Sequence, residues 1–128
     1  MSVFKKIMIV DDNVATNFLH KRLIEKSQLT EEVLLFKNGK DGLDFFLNAK
    51  EKPELILLDL NMPIMNGFEF LGNLKSMLSE DQKEETHIVI ISSSNEAWDE
   101  ERCKSLYNNL SYKEKPLNLA AINSLAGI

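Results

Sequence analysis

An apolar run followed by an acid and a turn occurs at Leu55-Ile56-Leu57-Leu58-Asp59-Leu60-Asn61-Met62-Pro63-Ile64-Met65-Asn66-Gly67. Successive aliphatic residues without polar alternation are typical of a strand that is buried on both faces of a parallel sheet. Pro63, Asn66 and Gly67 indicate a tight loop, in which we expect Gly67 to take a backbone conformation that other residues resist. The apolar positions that come next have helical spacing: Phe70, Leu71, Leu74 and Leu78.

The same unit of apolar run and helical segment is found along the whole chain. The other apolar runs are Ile7–Val10, Val33–Phe36, Ile88–Ile91 and the more polar Tyr112–Glu114. Two helices are predicted from about Asn13 to Lys26, with Ala15, Phe18, Leu19 and Leu23 at helical spacing, and from about Asn95 to Asn108, where the segment is polar. Two further helical faces are formed by Leu43, Phe46 and Leu47 and by Leu117, Ala120, Ala121 and Leu125. Because parallel neighbours need helical crossovers, this pattern predicts an α/β fold, with a doubly wound parallel sheet of five strands and five helices.

Composition and charge limit the class of protein. The chain has 128 residues, 20 acidic against 15 basic, and a formal net charge of −5, which fits one domain over residues 1–128. Its apolar runs are too short for a membrane helix, and we expect neither membrane insertion nor a secretory signal. Nucleic acid is not an expected partner, because the basic residues form no cluster. The single cysteine, Cys103, indicates a reducing compartment, and we expect a cytoplasmic protein.

Polar residues follow the predicted strands at one edge of the sheet. Asp11 and Asp12 follow the first strand and Asp59 ends the third, so their carboxylates would repel one another unless a cation joined them. A hard divalent cation resolves this repulsion, and Mg²⁺ suits a site that awaits a phosphate. Ser92-Ser93-Ser94 follow the fourth strand and Lys115-Pro116 the fifth. The edge therefore predicts a phosphoryl-transfer site, in which a carboxylate attacks phosphorus while the metal and a lysine neutralise charge.

With these residues the chain resembles the receiver domain of two-component response regulators, in particular stand-alone receivers of bacterial origin. The resemblance covers about Lys5 to Leu125, and the matching residues are Asp11-Asp12, the stretch Asp59 to Glu69, Ser92 and Lys115-Pro116. It implies a strand order of 2-1-3-4-5, as in flavodoxin-like folds, and a chain that is a receiver throughout, with no output domain. It also implies a protein that signals through its surface and is not a turnover enzyme.

The resemblance implies a role for each residue of the site. Asp59 would accept the phosphoryl group and form an acyl phosphate. The implied ligands of Mg²⁺, which Mn²⁺ could replace, are Asp11, Asp12, Asp59 and the backbone carbonyl of Asn61. Ser92 and Lys115 would bind phosphoryl oxygens, and Tyr112 would respond to the movement of Ser92. The residues expected to tune the lifetime of the acyl phosphate are Asn61 and Ser94.

Two kinds of protein partner follow from the resemblance. The phosphodonor would be a histidine kinase or a histidine phosphotransfer protein, which docks on the first helix and on the loop after the fifth strand. The residues expected at this contact are Thr16, Asn17 and Leu19, together with the Asn13-Val14 turn and Pro116. An unknown downstream protein would recognise the face of the fourth helix, fifth strand and fifth helix, where Trp98 is either its anchor or a packing residue. We expect a monomer or a weak dimer.

Several alternatives stay open at this point. Asp11 and Asp12 could cap the first helix instead of binding a metal, and Lys113 competes with Lys115 as the lysine of the site. The chain could be a phosphohydrolase that uses Asp59 as a transient nucleophile, although Asn61 stands where such an enzyme usually keeps its general acid. It could also be an interaction module of the same fold that is not phosphorylated.

Overall fold

The computed structural model describes residues 3–93 and 100–128. Ser94 and Trp98, for which the sequence predicts a tuning and an anchoring role, lie outside the described residues. The elements are β1 (Phe4–Val10), α1 (Val14–Lys26), β2 (Thr30–Phe36), α2 (Gly39–Asn48), β3 (Leu55–Asp59), α3 (Gly67–Met77), α4 (Glu80–Glu85), β4 (His87–Ser92), α5 (Glu100–Leu106), β5 (Leu110–Glu114), α6 (Leu119–Ser124) and a 3₁₀ turn (Leu125–Gly127). Five parallel strands form one sheet in the order β2-β1-β3-β4-β5, so the predicted α/β fold and strand order are confirmed.

A short helix between α3 and β4 corrects the predicted number of helices. Residues 3–93 and 100–128 contain six α-helices rather than five, because α4 forms at Glu80–Glu85. A capping box begins this helix: the Gln82 N–H donates to the Ser79 hydroxyl at 3.2 Å, and the Ser79 N–H donates to the Gln82 side chain at 2.9 Å. Its sequence has no apolar face, so hydrophobic periodicity could not reveal it. None of the described helices has the length and apolar content that a membrane span requires.

The two faces of the sheet are covered by different helices. Met8 of β1 belongs to one core cluster, together with Phe46 of α2 and Phe70 of α3. Its neighbour Ile7 belongs to a second cluster on the opposite face, together with Ile24 of α1. Because side chains alternate along a strand, the central strands need apolar residues on both faces, which explains their unbroken apolar runs.

The register of the strands brings their carboxyl ends to one level. Val10 of β1 pairs with Leu58 of β3, so the residues that follow them, Asp11 and Asp59, lie side by side. In β4, the partner of Asp59 is Ile91, and Ser92 comes next. The edge of the sheet at which these strands end is therefore the place where their polar residues meet.

Helix α1 turns polar residues inward and apolar residues outward. It spans Val14–Lys26, close to the predicted range, and its N-cap is Asn13, whose side chain accepts a hydrogen bond from the Thr16 N–H at 3.0 Å. The buried residues of the helix are Asn17, His20 and Ile24. Phe18, in contrast, is 58% exposed and Leu19 is 42% exposed. The apolar residues with helical spacing thus belong largely to an outer surface and not to the core.

The loop between β3 and α3 has its unusual backbone conformation at Ile64 and not at Gly67. Ile64 has a φ of 71° at the centre of a γ-turn that a hydrogen bond of 2.8 Å closes. No glycine of the described residues has a positive φ, so the conformation predicted for Gly67 is wrong. The reason for a glycine is space, because an added Cβ at residue 67 would lie 2.8 Å from the Cα of Leu60 and 2.9 Å from the carbonyl oxygen of Asp59.

We expect Gly67→Ala to lower the free energy of unfolding by about 2 kcal/mol or more, because the new methyl group must push the backbone after β3 away from α3. Gly72→Ala in the same helix is the matched control. Nothing beyond its own helix backbone and chain neighbours lies within 4 Å of an added Cβ there, so this change should stabilise the protein by about 0.5 to 1 kcal/mol. Urea unfolding measures both variants, and equal effects would contradict the close approach at Gly67.

Candidate functional site

Three carboxylates meet at the carboxyl ends of β1 and β3. Asp11, Asp12 and Asp59 each offer an oxygen, and these oxygens lie within 4.8 Å of one another. Asp11 is fully buried and Asp59 is 2% exposed, whereas Asp12 is exposed. The cluster follows directly from the sheet, because Val10 of β1 pairs with Leu58 of β3 and the next residues, Asp11 and Asp59, lie at the same level.

Lys115 is the cation that faces these carboxylates. Its Nζ lies 3.0 Å from Oδ2 of Asp11 and 3.3 Å from Oδ2 of Asp59, and its side chain is 16% exposed. The backbone N–H of Lys115 donates to the Ser92 carbonyl at 2.8 Å, and a cis peptide bond joins Lys115 to Pro116. The competing candidate Lys113 lies within β5, where it pairs with Ile91. The lysine whose ion pairs reach the carboxylates is therefore Lys115.

Burial changes the acid–base properties of this cluster. Burial and then the charge of Asp11 raise the pKa of Asp59 from 3.8 to about 6, although Lys115 and the Asn61 N–H act in the opposite direction. Burial by itself would lower the pKa of Lys115, but its hydrogen bonds and ion pairs with Asp11 and Asp59 outweigh burial and raise it. Lys115 thus pairs with two of the three carboxylates and leaves part of the negative charge of the cluster uncompensated.

This donor set fits a hard divalent cation. The oxygens of Asp11, Asp12 and Asp59 are close enough to share one ion, and carboxylate oxygens are the ligands that Mg²⁺ prefers. Burial and the charge of Asp11 disfavour ionised Asp59, as its raised pKa shows, and a bound cation would supply the positive charge that offsets this. The residues present therefore fit Mg²⁺, with Mn²⁺ as an ion of similar preference.

Backbone amides orient the two buried carboxylates. The Asn13 N–H donates to Oδ1 of Asp11 at 2.9 Å, and the Asn61 N–H donates to Oδ1 of Asp59 at 3.4 Å. Asn13 and not an aspartate caps α1, which removes the interpretation of Asp11 and Asp12 as capping residues. Each carboxylate keeps its Oδ2 on the side of Lys115. Asn61 itself is exposed at the mouth of the site.

The hydroxyl groups of Ser92 and Tyr112 are joined by a hydrogen bond next to the acidic cluster. Ser92, the last residue of β4, is fully buried. Its Oγ donates to the hydroxyl of Tyr112 at 3.1 Å. Because one hydroxyl donates only one hydrogen bond at a time, Ser92 can donate to a ligand above Asp59 only if it stops donating to Tyr112. The hydrogen bonding of Ser92 and that of Tyr112 are therefore linked.

The amino-acid sequence that forms this sheet, the acidic cluster and Lys115 also matches a known protein family. The family model described as "Response regulator receiver domain" matches residues 7–125. This chain belongs to the response regulator receiver family. The expected resemblance is thereby confirmed for the chain from β1 to the 3₁₀ turn that follows α6.

Relatives of this receiver include short and long proteins. Polar-differentiation response regulator DivK from Brucella anthropi is 37% identical over 87 residues, which cover 68% of this chain and 63% of that protein. Hybrid signal transduction histidine kinase I from Dictyostelium discoideum is 30% identical over 118 residues, which cover 89% of this chain but only 6% of that protein. A crystal structure of a two-component response regulator from Cytophaga hutchinsonii has a TM-score of 0.77 and 25% identity, with 97% of this chain and 95% of that chain covered. The receiver domain is thus what this chain shares with proteins of very different length.

The receiver exposes the predicted docking residues to different degrees. Pro116 is exposed, Leu19 is 42% exposed and Thr16 is half-buried. Asn17 is 3% exposed, and its side-chain amide donates to the Asp11 carbonyl at 2.7 Å. The prediction that Asn17 contacts a partner is therefore wrong, because α1 turns this residue toward the acidic cluster.

One exposed residue of α1, Phe18, is missing from the predicted docking set, and it is 58% exposed. Val14, in the turn that the prediction includes, is 59% exposed. The receiver has a groove of about 560 Å³ along this face, lined by Ala15, Phe18, Leu19, Arg22, Leu23 and Lys26. A signal was present in the sequence, since Asn17, His20 and Ile24 have the spacing of one helical face and leave Phe18 and Leu19 off it.

Proposed function

We propose that this receiver accepts a phosphoryl group on Asp59 from a histidine kinase or a histidine phosphotransfer protein, in a reaction that depends on Mg²⁺. The main support for this proposal is the position of Asp59. It is a buried carboxylate with an oxygen 3.3 Å from Nζ of Lys115 and within 4.8 Å of carboxylate oxygens of Asp11 and Asp12. A nucleophile, a set of metal ligands and a cation are the components that phosphoryl transfer to a carboxylate requires.

Each residue has a chemical task in this reaction. Ionised Asp59 forms a bond to phosphorus through one carboxylate oxygen while the bond from phosphorus to the donor's histidine nitrogen breaks. Lys115 and the hydroxyl of Ser92 bind phosphoryl oxygens as charge develops on them. Asp11, Asp12 and Asp59, with the backbone carbonyl of Asn61, would hold Mg²⁺, which supplies positive charge to the phosphoryl oxygens. Asn61 and Ser94 are the residues that would set how fast water reaches the phosphoryl group.

The link between Ser92 and Tyr112 supports a switch. Phosphorylation adds about −1.5 to −2 charges next to Ser92. Ser92 then exchanges its hydrogen bond to Tyr112, now 3.1 Å long, for one to a phosphoryl oxygen, and Tyr112 moves into the space that is left. The surface formed by α5, β5 and α6 changes with Tyr112, and a downstream protein that prefers one of the two surfaces reads the signal.

The apolar face of α1 is the proposed contact with the phosphodonor. Phe18 and Leu19 are exposed and line a groove to which Arg22 and Lys26 add positive charge. Pro116, on the loop after β5, is exposed as well. The proposed location of this exchange is the cytoplasm, where a buried thiol such as that of Cys103 stays reduced.

We expect Phe18→Ala to slow phosphoryl transfer from a phosphorylated histidine kinase by about tenfold, because an aromatic anchor of the contact is lost. Transfer from phosphoramidate, which is too small to use the groove, should keep its rate. Met77→Ala on α3, at a methionine that is 60% exposed, is the matched control. Rapid-quench kinetics with the kinase that phosphorylates the wild type fastest measure the effect. If both variants slowed transfer equally, α1 would not be the docking face.

The proposed function is tested by incubation with phosphoramidate and Mg²⁺, followed by intact-mass measurement of the wild type and Asp59→Asn. A gain of one phosphoryl group that requires Mg²⁺ and is absent from the variant supports it. Multiple turnover of unrelated phosphomonoesters would instead indicate a phosphohydrolase. No modification under any condition would indicate an interaction module that is not phosphorylated, and either of these two results overturns the proposal.

A further inference from the structure

A buried histidine of α1 holds the loop that carries Lys115. His20 is fully buried, and its Nε2 accepts a hydrogen bond from the Leu117 N–H at 3.0 Å. Leu117 comes two residues after Lys115 in the chain. One helical turn before His20, the amide of Asn17 donates to the Asp11 carbonyl at 2.7 Å. The inward face of α1 therefore contacts the backbone on both sides of the Lys115–Asp11 ion pair.

The hydrogen bond requires neutral imidazole. Because the Leu117 N–H is the donor, Nε2 must carry a lone pair, and the ring proton is on Nδ1. Burial lowers the pKa of His20 below 6.5, which favours this neutral form, although the charge of Asp11 acts in the opposite direction. Within the described residues, Nδ1 has no hydrogen-bond partner. A buried polar group with an unpaired donor is costly, so an apolar residue would serve packing better than this histidine does.

The loop after β5 has few other ways to be held. The N–H of Lys115 donates to Ser92, and Pro116 has no N–H, so the next donor in the chain is that of Leu117. The backbone is thus fixed directly before and directly after the proline by Ser92 and by His20. Between these two points lies the Cα from which the side chain of Lys115 reaches Asp11 and Asp59.

We propose that His20 is a positioning residue for Lys115, which holds the Leu117 backbone so that the lysine meets the phosphoryl group on Asp59; this inference rests on the proposed function. His20 touches neither Asp59 nor the phosphoryl group and acts through Lys115. Because the opposite face of α1 exposes Phe18 and Leu19, the same helix connects the proposed docking face with the lysine of the site.

The test compares variants that differ in the atom at the Nε2 position. His20→Leu removes the acceptor, His20→Gln keeps an acceptor oxygen at similar reach, and Ile24→Val is the control for a buried change in the same helix. We expect His20→Leu to lower the phosphorylation rate at saturating phosphoramidate by about tenfold, since small misplacements of a charged group are costly in phosphoryl transfer. The half-saturating phosphoramidate concentration should not change, and His20→Gln should recover most of the rate.

A double-variant measurement separates positioning from general destabilisation. In a Lys115→Met background, His20→Leu should have no further effect on the rate, because the group it positions is already absent. A further tenfold loss there, or His20→Leu with the wild-type rate, overturns the inference. If the wild type itself takes up no phosphoryl group, the proposed function fails and not only the role of His20. Urea unfolding of each variant verifies that the rates compare folded proteins.

Discussion

Asp59→Asn is expected to stabilise the metal-free protein at about pH 8, raising its free energy of unfolding by about 1 to 3 kcal/mol, and to abolish phosphorylation completely. The pKa of Asp59 is raised from 3.8 to about 6 by burial and by Asp11, and a shift of about two pKa units corresponds to about 3 kcal/mol at most. At high pH the wild type therefore holds a carboxylate that its surroundings disfavour. An amide of the same shape removes that charge together with the nucleophile.

The stability difference between the wild type and Asp59→Asn should depend on pH, because the pKa of Asp59 is raised in the folded protein. Between 3.8 and about 6, folded Asp59 keeps a proton that the unfolded chain has released, so its contribution to stability is present at low pH and is lost as the pH rises through about 6. The stabilising effect of Asp59→Asn should therefore shrink as the pH falls, and vanish by about pH 4. The opposite pH effect of His20, whose pKa is lowered by burial, is common to both proteins and cancels in their difference.

Urea unfolding with and without Mg²⁺ measures the effect. Saturating Mg²⁺ should reverse the order of stabilities at about pH 8, because the ion binds the folded wild type more tightly than the variant. Asp12→Asn is the matched control: Asp12 is exposed, so its removal should change the metal-free stability by no more than about 0.5 kcal/mol. A variant at Asp59 that is less stable than the wild type without Mg²⁺ would show that the charge of Asp59 is already compensated.

Lys115→Met is expected to reduce the phosphorylation rate by about 100-fold or more, because a cation that binds the phosphoryl oxygens is lost from a buried site. It should also lower the free energy of unfolding of the metal-free protein by about 3 kcal/mol, since Asp11 and Asp59 lose their ion-pair partner. Mg²⁺ should then bind more tightly than to the wild type, because no positive side chain repels it.

Lys113→Met is the control for this second prediction. Lys113 is two residues earlier in the chain and half-buried on β5, and we expect its replacement to leave the rate and the Mg²⁺ affinity at the wild-type values. The measurements are phosphoramidate kinetics followed by intact mass and titration with Mg²⁺. If Lys113→Met slowed phosphorylation as much as Lys115→Met, the geometry of Lys115 would not explain its role.

The sheet and the acidic cluster could be predicted from the sequence because the underlying patterns are local. Each strand appears as a short apolar run, and parallel pairing then forces the residues after these runs to one edge. The positions of Asp11, Asp59 and Lys115 follow from that rule and from the family resemblance. Their ion-pair distances and the raised pKa of Asp59 do not, since both depend on burial, which the strand pattern does not measure.

The orientation of α1 and the helix α4 could not be predicted from apolar spacing. Apolar residues indicate a helical face but not the side that the protein buries, and here Asn17 and His20 take the inner side because their polar atoms bind backbone groups of Asp11 and Leu117. Helix α4 forms through its cap at Ser79 and not through an apolar stripe. Similarly, a glycine is required at position 67 because the backbone of Asp59 and Leu60 lies close to it. This close approach arises only in the folded protein, so the sequence does not show it.

Chemical mapping can show which residue carries the phosphoryl group, which we expect to be Asp59. The wild type is phosphorylated with phosphoramidate and Mg²⁺ and reduced with borohydride, which converts an aspartyl phosphate to homoserine, and the modified residue is then located by peptide mass. We expect homoserine at position 59 alone. Homoserine at position 11 or 12 in place of 59, or a folded protein with no homoserine at all, would contradict it.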